Sequence, residues 1–113
     1  MQERRAAERL RIDLNARWEA LRTEGRGAVC DLSSLGCFVL TSAELKPGEL
    51  IRLDIELPQE LASLWGQVVY TVAEIGFALR FGFAAEAERV RVVHLIESLH
   101  PSAVDGEVLT LDR

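Results

Sequence analysis

The chain has 113 residues, about half of them apolar, with three prolines and 27% charged residues, the composition of one globular domain and not of a disordered tail. Its net charge of −5 argues against a general DNA or RNA binder, which carries a basic face. Two cysteines, Cys30 and Cys37, are too few for a disulfide framework or a metal knuckle.

The charge is uneven. Residues 1–26 hold seven arginines against five acids, leaving the remainder at −7, and Lys46 is the chain's one lysine. Arginine is planar and forked and stacks on flat rings, which lysine does not. An arginine-rich edge on an acidic body fits a localised anion site. The N-terminus has no apolar signal core, and no run nears the roughly 18 apolar residues of a membrane span. The expected setting is a reducing cytoplasm.

In chain order, residues 1–11 are polar and weakly periodic and read as a flexible Arg-rich arm. Residues 12–20 alternate, with Ile12, Leu14, Ala16, Trp18 and Ala20 on one parity, the signature of a half-buried strand. Residues 23–27, with two glycines and charge, read as a turn. Residues 28–32 read as a second strand, Leu32 to Gly36 as a turn, and 37–42 as a third strand. Lys46-Pro47-Gly48 is a turn signal.

Residues 50–57 form a fourth alternating strand, with Ile51, Leu53, Ile55 and Leu57 inward and Arg52, Asp54 and Glu56 outward. Residues 58–63 read as a loop and 64–72 as a fifth strand. Residues 75–83 are a sixth, placing Ile75, Phe77, Leu79, Phe81 and Phe83 inward. From Glu86 the period changes: Val92, Leu95, Ile96 and Leu99 fall at helical spacing, and Pro101 stops the helix. Residues 101–113 read as a polar tail. Six short strands and one helix predict a mainly β domain over residues 12–100, a six-stranded antiparallel β-barrel with a C-terminal α-helix.

No catalytic constellation is present, and an enzyme is not expected. Most carboxylates lie on solvent parities, and neither His94 nor His100 has metal-ligand spacing. There is no Gly-Lys-Ser/Thr phosphate loop and no Gly-x-Ser-x-Gly elbow. Trp18 and Trp65 read as core or groove residues. No metal and no cofactor are expected.

Two stretches stand out as a pair: Arg4-Arg5-Ala-Ala-Glu-Arg9, and Asp31-Leu-Ser33-Ser-Leu-Gly36. Alone, the first reads as a solvated terminus and the second as a capped turn, with glycine supplying φ > 0. Together they suit one kind of ligand. Arginine bonds the O6/N7 edge of guanine in bidentate fashion, stacks on bases and grips phosphate. Aspartate accepts from the opposite guanine edge, serine donates to phosphate or ribose, and glycine lets the backbone approach closely. The set fits a molecule holding both guanine and phosphodiester.

These residues resemble the PilZ domain family, receptors for the bacterial second messenger cyclic di-GMP. Arg5-Ala-Ala-Glu-Arg9 matches the family's Arg-x-x-x-Arg, preceded by Arg4, and Asp31 to Gly36 matches Asp/Asn-x-Ser-x-x-Gly at every defined position. Leu45-Lys-Pro-Gly48-Glu, Gly66-Gln-Val-Val-Tyr70 and Gly76-Phe-Ala-Leu-Arg-Phe81 resemble its later hairpins. The resemblance implies that Arg4, Arg5 and Arg9 clamp guanine and phosphate, that Asp31 reads guanine, that Ser33 contacts the ligand and that Gly36 keeps the turn open. Tyr70 stands where many members carry Trp near the ligand. It further implies an adaptor that binds cyclic di-GMP, orders its Arg arm and alters a protein partner in motility, secretion, pilus function, polymer synthesis or regulation. The alternative is a PilZ-like protein–protein adaptor that binds no nucleotide. Neither reading involves DNA, RNA or integration in a membrane.

Overall fold

The structure is a computed structural model that describes residues 9–82 and 86–99. Six strands run β1 (Leu10–Glu19), β2 (Glu24–Leu32), β3 (Gly36–Leu40), β4 (Leu50–Glu56), β5 (Leu61–Val72) and β6 (Gly76–Phe81), followed by helix α1 (Glu86–Leu99). The strands close in the order β1-β2-β3-β6-β5-β4, and every neighbouring pair is antiparallel. This is the six-stranded barrel with one C-terminal helix that the periodicity predicts. Closure gives each of the six strands two neighbours and so leaves no terminal edge strand among the described residues.

The interior is built from the alternating residues of all six strands. Val29, Leu32, Val39, Ile51, Leu53 and Ile55 are fully buried. Trp18 meets Phe77 edge to face, with ring centroids 6.0 Å apart and an interplanar angle of 86°, a favoured aromatic geometry. β1 keeps its expected parity, with Ala16 and Trp18 buried between exposed Asn15, Arg17 and Glu19.

Several boundaries differ from the sequence reading, each for a physical reason. β1 begins at Leu10, which is buried opposite Leu32, so the strand takes the last two residues of the expected arm. The expected turn at 23–27 is strand from Glu24 onward. Its two glycines are strand residues: Gly25 lies beneath the Trp18 ring and Gly27 against the backbone of Leu40. The turn is instead the tight one closed by Ala20 N–H donating to Thr23 O at 2.7 Å. β5 starts at Leu61, inside the expected loop, because Leu61 to Gln67 pair in unbroken register with Glu56 to Leu50.

Asp54, expected to face solvent, is only 7% exposed. It does lie on the outward parity of β4, but Ser63 Oγ donates to it at 2.6 Å and Arg52 Nη2 at 3.4 Å. A covered carboxylate requires such donors. Ile75, expected inward, is 52% exposed, because it sits in the turn before β6 begins. The inward position expected for Phe83 lies outside the described residues.

Helix α1 forms a second unit. It runs 14 residues and ends at Leu99, two residues before Pro101, where the ring disfavours helical geometry in the preceding residue. Among the described residues, no helix is long and apolar enough to cross a membrane.

Core truncation measures this register. Leu53→Ala should destabilise the chain by about 2–5 kcal/mol in equilibrium denaturation, because Leu53 is fully buried. An unchanged midpoint would break the assigned parity of β4.

Candidate functional site

The site is assembled where β1 begins and β2 ends. Antiparallel pairing sets Leu10 opposite Leu32 and Arg11 opposite Asp31. Arg9, one residue before β1, therefore reaches Asp31 although the two are 22 residues apart in sequence. Its Nε donates to both carboxylate oxygens, at 3.4 Å to Oδ1 and 3.3 Å to Oδ2, and its Nη2 lies 3.3 Å from Oδ2. The Arg9 side chain is 64% exposed and that of Asp31 29%. An ion pair this wet is worth about 0–1 kcal/mol. It is held loosely enough to be exchanged for another partner.

The turn after Asp31 is rigid by comparison. Ser33 is buried, and its hydroxyl accepts from the N–H groups of Leu35 at 3.1 Å and Gly36 at 3.4 Å while reaching Gly36 O at 3.4 Å. Ser33 N–H also donates to Gly36 O at 2.9 Å. These bonds engage the serine in shaping the turn, the local side-chain-to-backbone pattern that stabilises turns. The turn is tied to β6 by Phe81 N–H donating to Leu35 O at 2.8 Å.

Gly36 serves the close backbone approach that the sequence reading allowed it, but toward β6 and not through a left-handed turn. Its φ is not positive; among the described glycines only Gly48 has a left-handed φ, at 97°. A Cβ at Gly36 would instead collide with the carbonyl oxygen of Leu79 and crowd the Cα of Arg80 at 3.1 Å. The glycine lets β3 lie close against β6.

One row of outward residues runs across the barrel at this level. Register places Arg11 beside Asp31, Asp31 beside Phe38, Phe38 beside Ala78, and Ala78 beside Tyr70. Tyr70 is 52% exposed, and its ring lies 6.2 Å from that of Phe38, tilted by 41°. The row thus offers a cation, a carboxylate and two rings flanking a small residue. Arg80, directly opposite Gly36, is exposed at the turn's edge. Arg11, Phe38 and Arg80 were not singled out by sequence. Arg11 falls in the expected arm and Phe38 in a strand whose faces the sequence does not assign, and only the cross-strand register brings them beside Asp31.

Of the expected site residues, the structure brings Arg9, Asp31, Ser33 and Gly36 to this one end of the barrel. Arg4 and Arg5 lie outside the described residues. Cys37, two residues along β3 from the turn tip at Leu35, is a core residue. Burial, then the charge of Asp31 and then Cys30, push its thiol far above the ordinary range, so it stays protonated and poorly nucleophilic.

The family model of the PilZ domain matches residues 3–98; the chain belongs to the PilZ domain family. Solved structures agree at the level of fold. The PilZ domain of CeSA from a cellulose-synthesizing bacterium is 18% identical, with a TM-score of 0.71, over 81% of this chain and 97% of that one. The PilZ domain of YcgR from Escherichia coli, solved with c-di-GMP, is 18% identical, with a TM-score of 0.70, over 86% of this chain and 92% of that one. MrkH from K. pneumonia, also solved as a c-di-GMP complex, is 16% identical, with a TM-score of 0.72, over 95% of this chain and 56% of that one. No curated protein sequence matches.

The close approach at Gly36 has a measurable consequence. Gly36→Ala should lower stability by about 1–3 kcal/mol, as an overpacked contact does, while Gly82→Ala, where a Cβ meets nothing within 4 Å, should leave the melting temperature near that of the wild type. Equal melting for both variants would remove the steric role of Gly36.

Proposed function

We propose that the protein is a cyclic di-GMP receptor of the bacterial cytoplasm that works as a binding module and not as an enzyme. The observation that carries this reading is the Arg9–Asp31 pair at the end of a preorganised turn. The carboxylate is held where a guanine Watson–Crick edge can meet it, and a guanidinium stands beside it. In the bound state Asp31 accepts from guanine N1–H and N2–H. Arg9, with Arg4 and Arg5 of the arm, grips phosphate and stacks on or bonds the base. Ser33 and Gly36 shape the turn at the ligand's edge, and Tyr70 contributes a weaker contact. Membership of a family of cyclic di-GMP receptors and the c-di-GMP complexes of YcgR and MrkH support the ligand's identity.

The signal is a change of surface. Docking the arm costs roughly 1–2 kcal/mol of conformational entropy per residue fixed. Three arginines meeting a dianionic ligand offset that cost, and the ordered arm presents a surface that a protein partner can read.

Base discrimination tests the role of Asp31. Asp31→Ala should weaken cyclic di-GMP binding by about 1–3 kcal/mol, the value of a bidentate base contact, and should erase the preference over cyclic di-AMP. An equal loss for both nucleotides would remove guanine reading from Asp31. Hydrogen exchange of residues 3–9 should slow at saturating ligand; unchanged exchange would contradict arm ordering.

A further inference from the structure

The other end of β1 and β2 carries a second surface. The ten residues of β1 separate the Arg9–Asp31 pair from the Ala20–Thr23 turn by about 30 Å at strand rise. Around that turn lies a cleft of about 870 Å³. Three large apolar side chains line it and stay in water: Leu21 at 92% exposure, Leu50 at 65% and Trp65 at 57%. Tight turns favour residues that bond their own backbone, and Leu21 gives this one nothing of the kind. Scattered apolar residues need no explanation, but a contiguous apolar cleft is a feature of interaction sites, and tryptophan is enriched at their energetic centres.

The cleft is preformed. One wall is the turn closed by the Ala20–Thr23 bond. The other is the segment Lys46–Glu49, pinned to β5 by Gly48 N–H donating to Val68 O at 2.8 Å, Val68 N–H to Glu49 O at 2.9 Å, and Gln67 Nε2 to Gly48 O at 3.2 Å. Little ordering is needed when a partner arrives, which favours affinity.

The rim charges identify the occupant. Its two carboxylates are engaged within the chain: Glu19 with Arg52 at 3.0 Å, and Glu49 with the backbone N–H of Lys46 at 2.8 Å. Among the described residues, the Arg22 guanidinium and the Lys46 ammonium form no ion pair. An apolar cleft with two uncommitted cations, on a chain of net charge −5, is complementary to an apolar side chain flanked by carboxylates.

We propose that this cleft docks an acidic amphipathic segment of a partner protein, whose apolar anchor packs among Leu21, Leu50 and Trp65 while its carboxylates meet Arg22 and Lys46. The surface is distinct from the nucleotide site and does not depend on it, so ligand and partner can be held together.

The test is selection of a displayed random peptide library on the full chain, without nucleotide. The enriched peptides should carry a large apolar residue flanked by Asp or Glu, and should shift Trp65 emission to the blue. Their affinity should fall at least tenfold for Leu21→Ser and, separately, for Lys46→Glu, both surface changes that leave the far-UV circular dichroism unaltered. No enrichment, enriched peptides without acidic residues, or binding indifferent to both variants would overturn the proposal. So would concentration-dependent dimerisation in sedimentation that Leu21→Ser abolishes, which would assign the cleft to a second copy. A Trp65 emission change caused by Leu109→Ser or Leu111→Ser, with no peptide present, would assign it to the chain's own C-terminal segment and equally overturn the proposal.

Discussion

The barrel depends on the seam where β3 meets β6, strands that are not consecutive in the chain. Two glycines make the seam possible. A Cβ at Gly36 would strike the carbonyl oxygen of Leu79, and a Cβ at Gly76 that of Val39. The two glycines face the partner strand from opposite sides of the same ladder, one at each end. A long-range seam of this kind forms only after the loop-closure entropy of the intervening chain has been met, so close backbone contact along it is a condition of the whole fold. The Asp31–Gly36 turn inherits its rigidity from the seam, because Leu35 and Gly36 are anchored on β6.

That seam divides the end of the barrel into a firmly held part and a loosely held one. The turn is held by Ser33 and by β6, and its geometry is fixed before any ligand arrives. The Arg9–Asp31 contact beside it is exposed and weak. In the function proposed above, a rigid carboxylate next to an exchangeable guanidinium would let a ligand enter without unfolding anything, both groups passing from one charge-assisted bond to another. Cys37 and Leu32, next to the turn, are buried in the core.

Much of this was legible in the residues themselves. Period-2 alternation in β1, β4 and β6 marks the face that each strand turns to the core, and the change to helical spacing after Glu86 marks α1. The two-part motif was also readable, because Arg9, Asp31, Ser33 and Gly36 are chemically unusual as a set. What stayed hidden belongs to register and closure. Gly25 and Gly27 look like turn residues until Trp18 and Leu40 are seen to lie against them. Asp54 has the parity of a solvated residue until Ser63 and Arg52 cover it. Phe38 and Arg11 become neighbours of Asp31 only through cross-strand pairing, and of the two roles open to the glycine at position 36, a left-handed turn and close backbone approach, only closure shows that the second applies and that β6 is what approaches. Leu21 gave no periodic signal at all, because a turn has none.

The most direct measurement is a calorimetric titration of the full chain with cyclic di-GMP beside the Arg5→Ala/Arg9→Ala double variant. Saturable heat in the wild type, lost in a double variant that melts at the same temperature, is the result the account predicts. A folded wild-type chain that gives no heat and no thermal shift with cyclic di-GMP would contradict it.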